Sequence, residues 1–193
     1  QFQRGLPAIS PTMLTKRLGE MVEDGLIFKK QTPGQKGYDY FLTPAGKELM
    51  PVVTELGVWG MKWARGQLAD VDFDVELLMT YLGRSIKPEM LGATETIVRF
   101  HFTDLKRLKK WWIIVTGNDV DVCIKDPGKE IDVWFETDLK TMVSIWMGDC
   151  SYKSAVREKK CGIYGSSTLT RNVSSWMSNS VFAGIPPAAH ISD

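Results

Sequence analysis

Cysteine is scarce and badly placed for a structural role. Cys123, Cys150 and Cys161 are an odd number at wide spacings, with no C-x-x-C pair or histidine cluster beside them, which favours neither a disulfide framework nor a zinc site. A reducing cytosol suits such usage. Histidine is rarer still: His101 falls in an alternating apolar segment and His190 near the end, neither with a partner visible in the sequence. The chain has no P-loop, dinucleotide glycine pattern, G-x-S-x-G elbow or H-E-x-x-H. Asp119, Asp121 and Asp132 read as hairpin surface rather than paired acids. The expectation is therefore a protein that is not an enzyme and needs no metal or cofactor. There is no apolar run near the length of a membrane span and no signal-peptide pattern, and Gln1 falls inside what reads as structured sequence, which suggests a fragment without its true N-terminus.

What is present divides in two. Hydrophobic residues make up 44% of the 193, enough for one good-sized core or two modest ones. Gln1 to Ala69 carry nine Lys/Arg against six Asp/Glu, and the remainder carries fifteen against seventeen. A mildly basic region thus precedes a mildly acidic one. With the change in composition near Ala69, this predicts domains at 1–68 and 69–193.

The stretch "ISPTMLTKRLGEMVEDGLI" carries the clearest helix signals. Ser10 is a good N-cap, Pro11 suits the first helical position, and Gly25 suits the C′ position after a helix ending near Asp24. Leu14, Leu18, Met21 and Val22 recur as one buried stripe. The opposite face carries Thr12, Lys16, Gly19, Glu20 and Glu23, with Met13 and Arg17 towards its edges, so cations and hydroxyls occupy the N-terminal half and acids the C-terminal half. That polarity suits a helix whose N-terminal end approaches phosphates; a solvated face with a Lys16–Glu20 pair would show the same pattern.

The following segments decide between these readings. "LIFKK" and "YDYFL" flank the loop "QTPGQKG", which predicts a hairpin with a tip longer than pairing requires. Before the helix, Leu6 to Ile9 read as a turn after a shorter helix. Short helix, turn, capped helix and hairpin form the order of a winged helix-turn-helix. Ser10, Thr12, Met13, Lys16 and Arg17 of the helix, with Gln35 and Lys36 of the hairpin tip, are the expected contacts to double-stranded DNA. Next, Thr43 caps and Pro44 opens a helix that Pro51 must kink or restart; Leu49, Val52, Val53, Leu56, Trp59 and Trp63 give it a wide apolar face. This face either covers the winged body or, with Leu56, Trp59 and Trp63 at its centre, meets a second subunit.

The run "FQRGLPAISPTMLTKRLGEMVEDGLIFKK", then "YDYFLTPAGKEL" and "PVVTELGVWG", resembles the HxlR-type bacterial transcription regulators from Phe2 to about Trp63. The resemblance implies a homodimer with Pro11 to Asp24 as recognition helix and the hairpin as wing. It also implies that the first helix, much of the second, and a leader that usually carries a cysteine lie outside this chain.

Beyond Ala69 a short helix within "DVDFDVELLMTYLGR" precedes four strands, "ETIVRFHF", "WWIIVT", "DVDVCIK" and "IDVWFE", expected to form a meander. Thr137 is then expected to start a helix bearing Leu139, Met142, Val143 and Trp146, followed by a turn or two over "SYKSAVREK", a brief strand "CGIYG", and a last helix from Leu169 to Ser180. The predicted class is α+β: a winged helix-turn-helix domain followed by an antiparallel-sheet α+β domain with helices on one face.

The helix ending "WMGD", Ala155 six residues on, the strand closing at Gly165, and "WMSNSVFAGIP" make this second domain resemble the sterol carrier protein type two fold, over roughly Asp74 to Pro186. Lys159 and Lys160 depart from the pattern, which calls for a glycine before the late strand. The resemblance implies an apolar tunnel or cleft for a hydrophobic or lipid-like small molecule. Trp111, Trp112, Trp134, Met142, Trp146, Trp176 and Phe182 each read singly as core, but together they suit an adaptable apolar pocket. Trp112, Met142, Trp146, Trp176 and Phe182 are its expected lining. The expected function is a dimeric operator-binding regulator modulated by such a ligand; the alternative is a lipid-binding or carrier module whose winged domain serves protein interaction.

Overall fold

The computed structural model describes residues 9–31, 37–64, 73–186 and 188. The chain forms two compact units, Gln1–Arg65 with Pro187–Asp193, and Gly66–Pro186. The expected boundary at 68/69 lies outside the described residues.

In the first unit, helix α1 spans Pro11–Glu23. Ser10 is in extended conformation and its Oγ accepts the Met13 N–H at 3.3 Å, while Pro11 occupies the first turn, where its missing N–H costs nothing. The helix ends as a Schellman motif: Gly25, at φ +70°, donates to the Val22 carbonyl and Leu26 donates to that of Met21. The expected buried stripe is only partly realised. Leu14, Leu18 and Val22 are half-buried and Met21 is exposed, because among the described residues of this unit Ile27 is the one buried large apolar side chain.

Strands β1 (Ile27–Gln31) and β2 (Tyr38–Leu42) pair antiparallel, with Ile27 opposite Leu42 and Gln31 opposite Tyr38. Thr43 then ties three elements together. Its Oγ1 donates to the Gly25 carbonyl at 2.6 Å and accepts from Gly46 N–H at 3.1 Å, capping α2 (Pro44–Glu48). Gly46 is obligatory here, since a Cβ would collide with the Leu26 carbonyl. Leu49 ends α2 and begins α3 (Met50–Trp63) in helical conformation, and Pro51 sits in the first turn of α3. Pro51 thus restarts the helix rather than kinking it.

The second unit opens with α4 (Val75–Ser85), capped by Asp74, and a 3₁₀ turn at Pro88–Met90. Strands β3 (Glu95–Phe102), β4 (Lys110–Thr116), β5 (Asp119–Cys123), β6 (Val133–Thr137) and β7 (Cys161–Gly165) form one sheet in the order β5-β4-β3-β6-β7. The α+β class holds, but the meander does not. Strands β3, β4 and β5 are joined as hairpins, whereas β6 returns to the free edge of β3 and pairs with it in parallel. Alternation of apolar residues is the same in either direction, so it cannot report this. The return is secured by Asp132, whose Oδ2 accepts from Ile97 N–H at 2.8 Å and whose own N–H donates to the Ile97 carbonyl at 3.0 Å.

Helices α5 (Leu139–Trp146), α6 (Tyr152–Arg157), α7 (Ser167–Arg171) and α8 (Val173–Trp176) complete the unit. Asp138, not Thr137, caps α5, accepting from the Thr141 N–H and hydroxyl, both at 2.7 Å; Thr137 closes β6. The expected last helix is two short ones broken at Asn172, and Met177 leaves helical conformation to bridge Ile86. One core holds Met79, Leu82, Phe100, Ile113, Phe135, Met142, Ile145 and Trp176 between helices and sheet. Gly148 (φ +82°) ends α5 with a second Schellman motif. Lys159, at φ +58°, ends α6 with a third: it donates to the Val156 carbonyl, and Lys160 donates to that of Ala155. The missing glycine therefore leaves the turn intact, with a lysine in the left-handed region that glycine favours.

Candidate nucleic-acid interface and ligand site

The outward face of α1 presents Thr12, Met13, Lys16 and Arg17, all exposed, beside the capped end. Ser10 accepts one hydrogen bond at the cap, which leaves its hydroxyl proton and a second lone pair for any further contact. Both cations converge on Glu20: Arg17 Nη1 donates to Oε2 at 2.8 Å and Lys16 Nζ lies 3.9 Å from Oε1. Exposed pairs of this kind contribute about 0–1 kcal/mol, so a phosphate oxygen can displace the carboxylate at small cost. A helix with its side chains is about 10–12 Å across, which matches a major groove about 12 Å wide.

Gln35 and Lys36 lie outside the described residues. The hairpin adds two cations that the sequence reading passed over, Lys29 and Lys30, both exposed on β1; Lys29 Nζ lies 5.1 Å from the centre of the Tyr38 ring. The run "FKK" was their visible signal, hidden by its reading as strand alone.

Part of the apolar face of α3 is exposed. Leu56, Trp59 and Trp63 are 65%, 58% and 46% exposed, and Leu49, Met50, Val52 and Val53 are exposed with them.

The five expected ligand-lining residues do not converge. Met142 and Trp176 are fully buried in the core, and the Trp176 indole donates to the Leu169 carbonyl at 2.9 Å. Trp146 is half-buried, stacks on Tyr81 at 5.0 Å and donates to Ser85 Oγ at 2.9 Å; Phe182 is half-buried. Trp112 points to the other face of the sheet, because on β4 it alternates with Trp111 and Ile113, which enter the core. A cleft of about 140 Å³ lies near the end of α5, lined by Ile145, Gly148, Cys150, Ser151, Tyr152, Ser174 and Asn179, none of them among the five. Ligand pockets for drug-sized molecules run to about 300–1,000 Å³, so this cleft suits a small polar group. Burial pushes the Tyr152 phenol above its ordinary range, and burial pushes the Cys161 thiol up to about 11 against the opposing Thr137 hydrogen bond. Both stay protonated near neutral pH. Among the described residues no group of three or more His, Cys, Asp or Glu could hold a metal, and no helix is long and apolar enough to cross a membrane.

Solved structures and curated proteins both include chains similar to this one. Solved structures similar to it include the sterol carrier protein domain 2 of Helicoverpa armigera, at 16% identity and a TM-score of 0.41, covering 58% of this chain and 98% of that one. The UbiJ-SCP2 ubiquinone synthesis protein gives 13%, 0.33, 68% and 95% for the same quantities. Among curated proteins, the HTH-type transcriptional regulator YdeP of Bacillus subtilis (strain 168) is 36% identical over 66 residues, covering 33% of this chain and 50% of the other. YybR of the same organism is 35% identical over 63 residues, covering 31% and 49%. The chain thus spans about half the length of the curated relatives it matches. Residues 1–68, with the capped helix α1, the β1–β2 hairpin and α3, match the HxlR-like helix-turn-helix family.

Proposed function

We propose that this chain is the DNA-binding and ligand-responsive part of an HxlR-type transcription regulator that works as a homodimer. The carrying observation is the exposed, cation-bearing N-terminal half of α1 within a matched helix-turn-helix region. In this reading α1 enters the major groove, Thr12 and Met13 approach base edges, and Lys16 and Arg17 meet phosphates. The hairpin cations Lys29 and Lys30 lie along the backbone, with Gln35 and Lys36 at the tip. The exposed row Leu56, Trp59 and Trp63 joins two copies, so that two recognition helices meet two half-sites.

The second unit, in this proposal, binds a hydrophobic small molecule on its helix side. Met142 and Trp176 are fully buried there, so entry requires the helices to part, and the bound state differs from the closed one described. A ligand that favours one of two DNA-binding states by about 1–3 kcal/mol changes operator affinity about 5- to 150-fold. Gel retardation across a salt series tests the reading: specific, dimeric, strongly salt-dependent binding supports a regulator. Salt-independent or absent binding leaves a carrier module with a protein-contact domain. Native mass spectrometry of freshly purified protein, followed by DNA titration with and without any co-purifying lipid, tests the ligand.

A further inference from the structure

The face of the sheet away from the helices carries one row of side chains set by register. Arg99 on β3 stands opposite Trp112 of β4 on one side and Trp134 of β6 on the other, and Trp134 stands opposite Tyr164 of β7. The guanidinium carbon lies 5.6 Å from the centre of the Trp134 ring, and Trp134 stacks on Tyr164 at 5.3 Å. Gly162 makes room for this arrangement, since a Cβ there would lie 2.5 Å from the Tyr164 hydroxyl. Arg99 thus stands over an indole at the centre of the row.

Two buried donors on this row have no acceptor among the described residues: Arg99 Nε and Trp112 Nε1. Trp112 is only 5% exposed. The contrast with other indoles of the unit is sharp, since Trp111, Trp146 and Trp176 donate to Leu108 O, Ser85 Oγ and Leu169 O at 2.6, 2.9 and 2.9 Å. Nor does Arg99 have a carboxylate partner among the described residues: Glu136, in the adjacent row, is engaged by His101 Nδ1 at 3.2 Å. Lys110, two residues before Trp112 and facing the same side by alternation, adds a second cation. Buried donors without an acceptor are costly, and these two belong to directly opposed cross-strand neighbours.

We propose that this row is a binding site for an organic carboxylate, whose oxygens accept from the Arg99 guanidinium and the Trp112 indole while its apolar body lies along Trp134 and Tyr164. A planar guanidinium matches a carboxylate with two parallel hydrogen bonds, and the flanking rings select an acid with an apolar body over a bare anion. The site is independent of the helix-side ligand and of the DNA-binding reading.

The test is a benzoate titration of the full chain followed by the indole N–H resonances, with that of Trp112 identified by its loss in Trp112→Phe. A saturable shift of this resonance is expected. Affinity should fall about tenfold or more in Arg99→Gln and about fivefold in Trp112→Phe, while ligand-free Trp112→Phe should unfold at the same or a higher temperature, because it sheds an unsatisfied donor. Should Arg99→Gln not fold, Arg99→Lys keeps the charge without the fork and should lose affinity in the same direction. An unmoved Trp112 resonance, benzoate affinity independent of Arg99, or inorganic phosphate binding as tightly as benzoate would each overturn the proposal.

Discussion

Arg17 Nη1 lies 2.8 Å from Glu20 Oε2 on the outward face of α1, so a guanidinium of the proposed DNA-facing side is held by a carboxylate of its own helix. Glu20→Gln releases it and removes a negative charge from the approach to DNA. Affinity for all duplex sequences should rise several-fold at low salt, while stability changes by less than about 1 kcal/mol. Lys16→Glu should do the reverse and reduce the salt slope by about one per lost phosphate contact. Retardation assays between low and moderate salt check both; unchanged slopes would remove this face from the interface.

The exposed row on α3 predicts the assembly. A double Trp59→Ala, Trp63→Ala variant should sediment as a monomer and lose binding to paired half-sites, with the winged unit still folded by circular dichroism. Each tryptophan is expected to bury surface worth up to about 3 kcal/mol in the interface. A folded variant that stays dimeric moves the interface elsewhere.

Lys159, at φ +58°, invites a stabilising change. Lys159→Gly relieves the left-handed strain but frees the unfolded chain, for a net gain of roughly 0.5–1 kcal/mol. The urea midpoint should rise with an unchanged slope. The converse holds at Gly165, φ +114°, where a Cβ would collide with the Asp132 carbonyl: Gly165→Ala should lower the midpoint markedly.

Alkaline pH should weaken the second unit through Cys161. Its thiol is raised from 9.0 to about 11 in the fold, first by burial, so between these values the unfolded chain has lost a proton that the folded chain keeps. The contribution is fully present below pH about 9 and is lost as pH rises towards about 11, by roughly 1–3 kcal/mol. Tyr152, raised by burial, adds a loss in the same direction at higher pH. Urea midpoints between pH 8 and 11 should fall for the natural chain and fall less for Cys161→Ala; parallel declines would exclude this cause.

Local chemistry was legible wherever it is set by neighbours along the chain. Ser10-Pro11 and Thr43-Pro44 start helices because a side-chain oxygen meets the N–H three residues on, and Gly25 ends one because it tolerates a positive φ. The strand β3 was read to the residue from its alternation. Capping failed where two capping residues competed, Thr137 and Asp138, since Thr137 instead donates to the Lys160 carbonyl of another strand's approach.

Interactions within a few residues fix most of the helix and strand segments, such as α1, β3 and α5, and the polarity of charge along α1, but not the break of the last helix at Asn172. Contacts between distant segments set the parallel pairing of β6 with β3, the turning of Trp112 away from Met142 and Trp176, and the place of Arg99 between two indoles with its Nε unpartnered. Period-two alternation assigns side chains to two faces without saying which face is covered, and it carries no information on strand neighbours. A single arginine in the apolar run "ETIVRFHF" was the visible trace of the second face; its meaning depended on residues 13 and 35 positions away, Trp112 and Trp134, brought beside it by register.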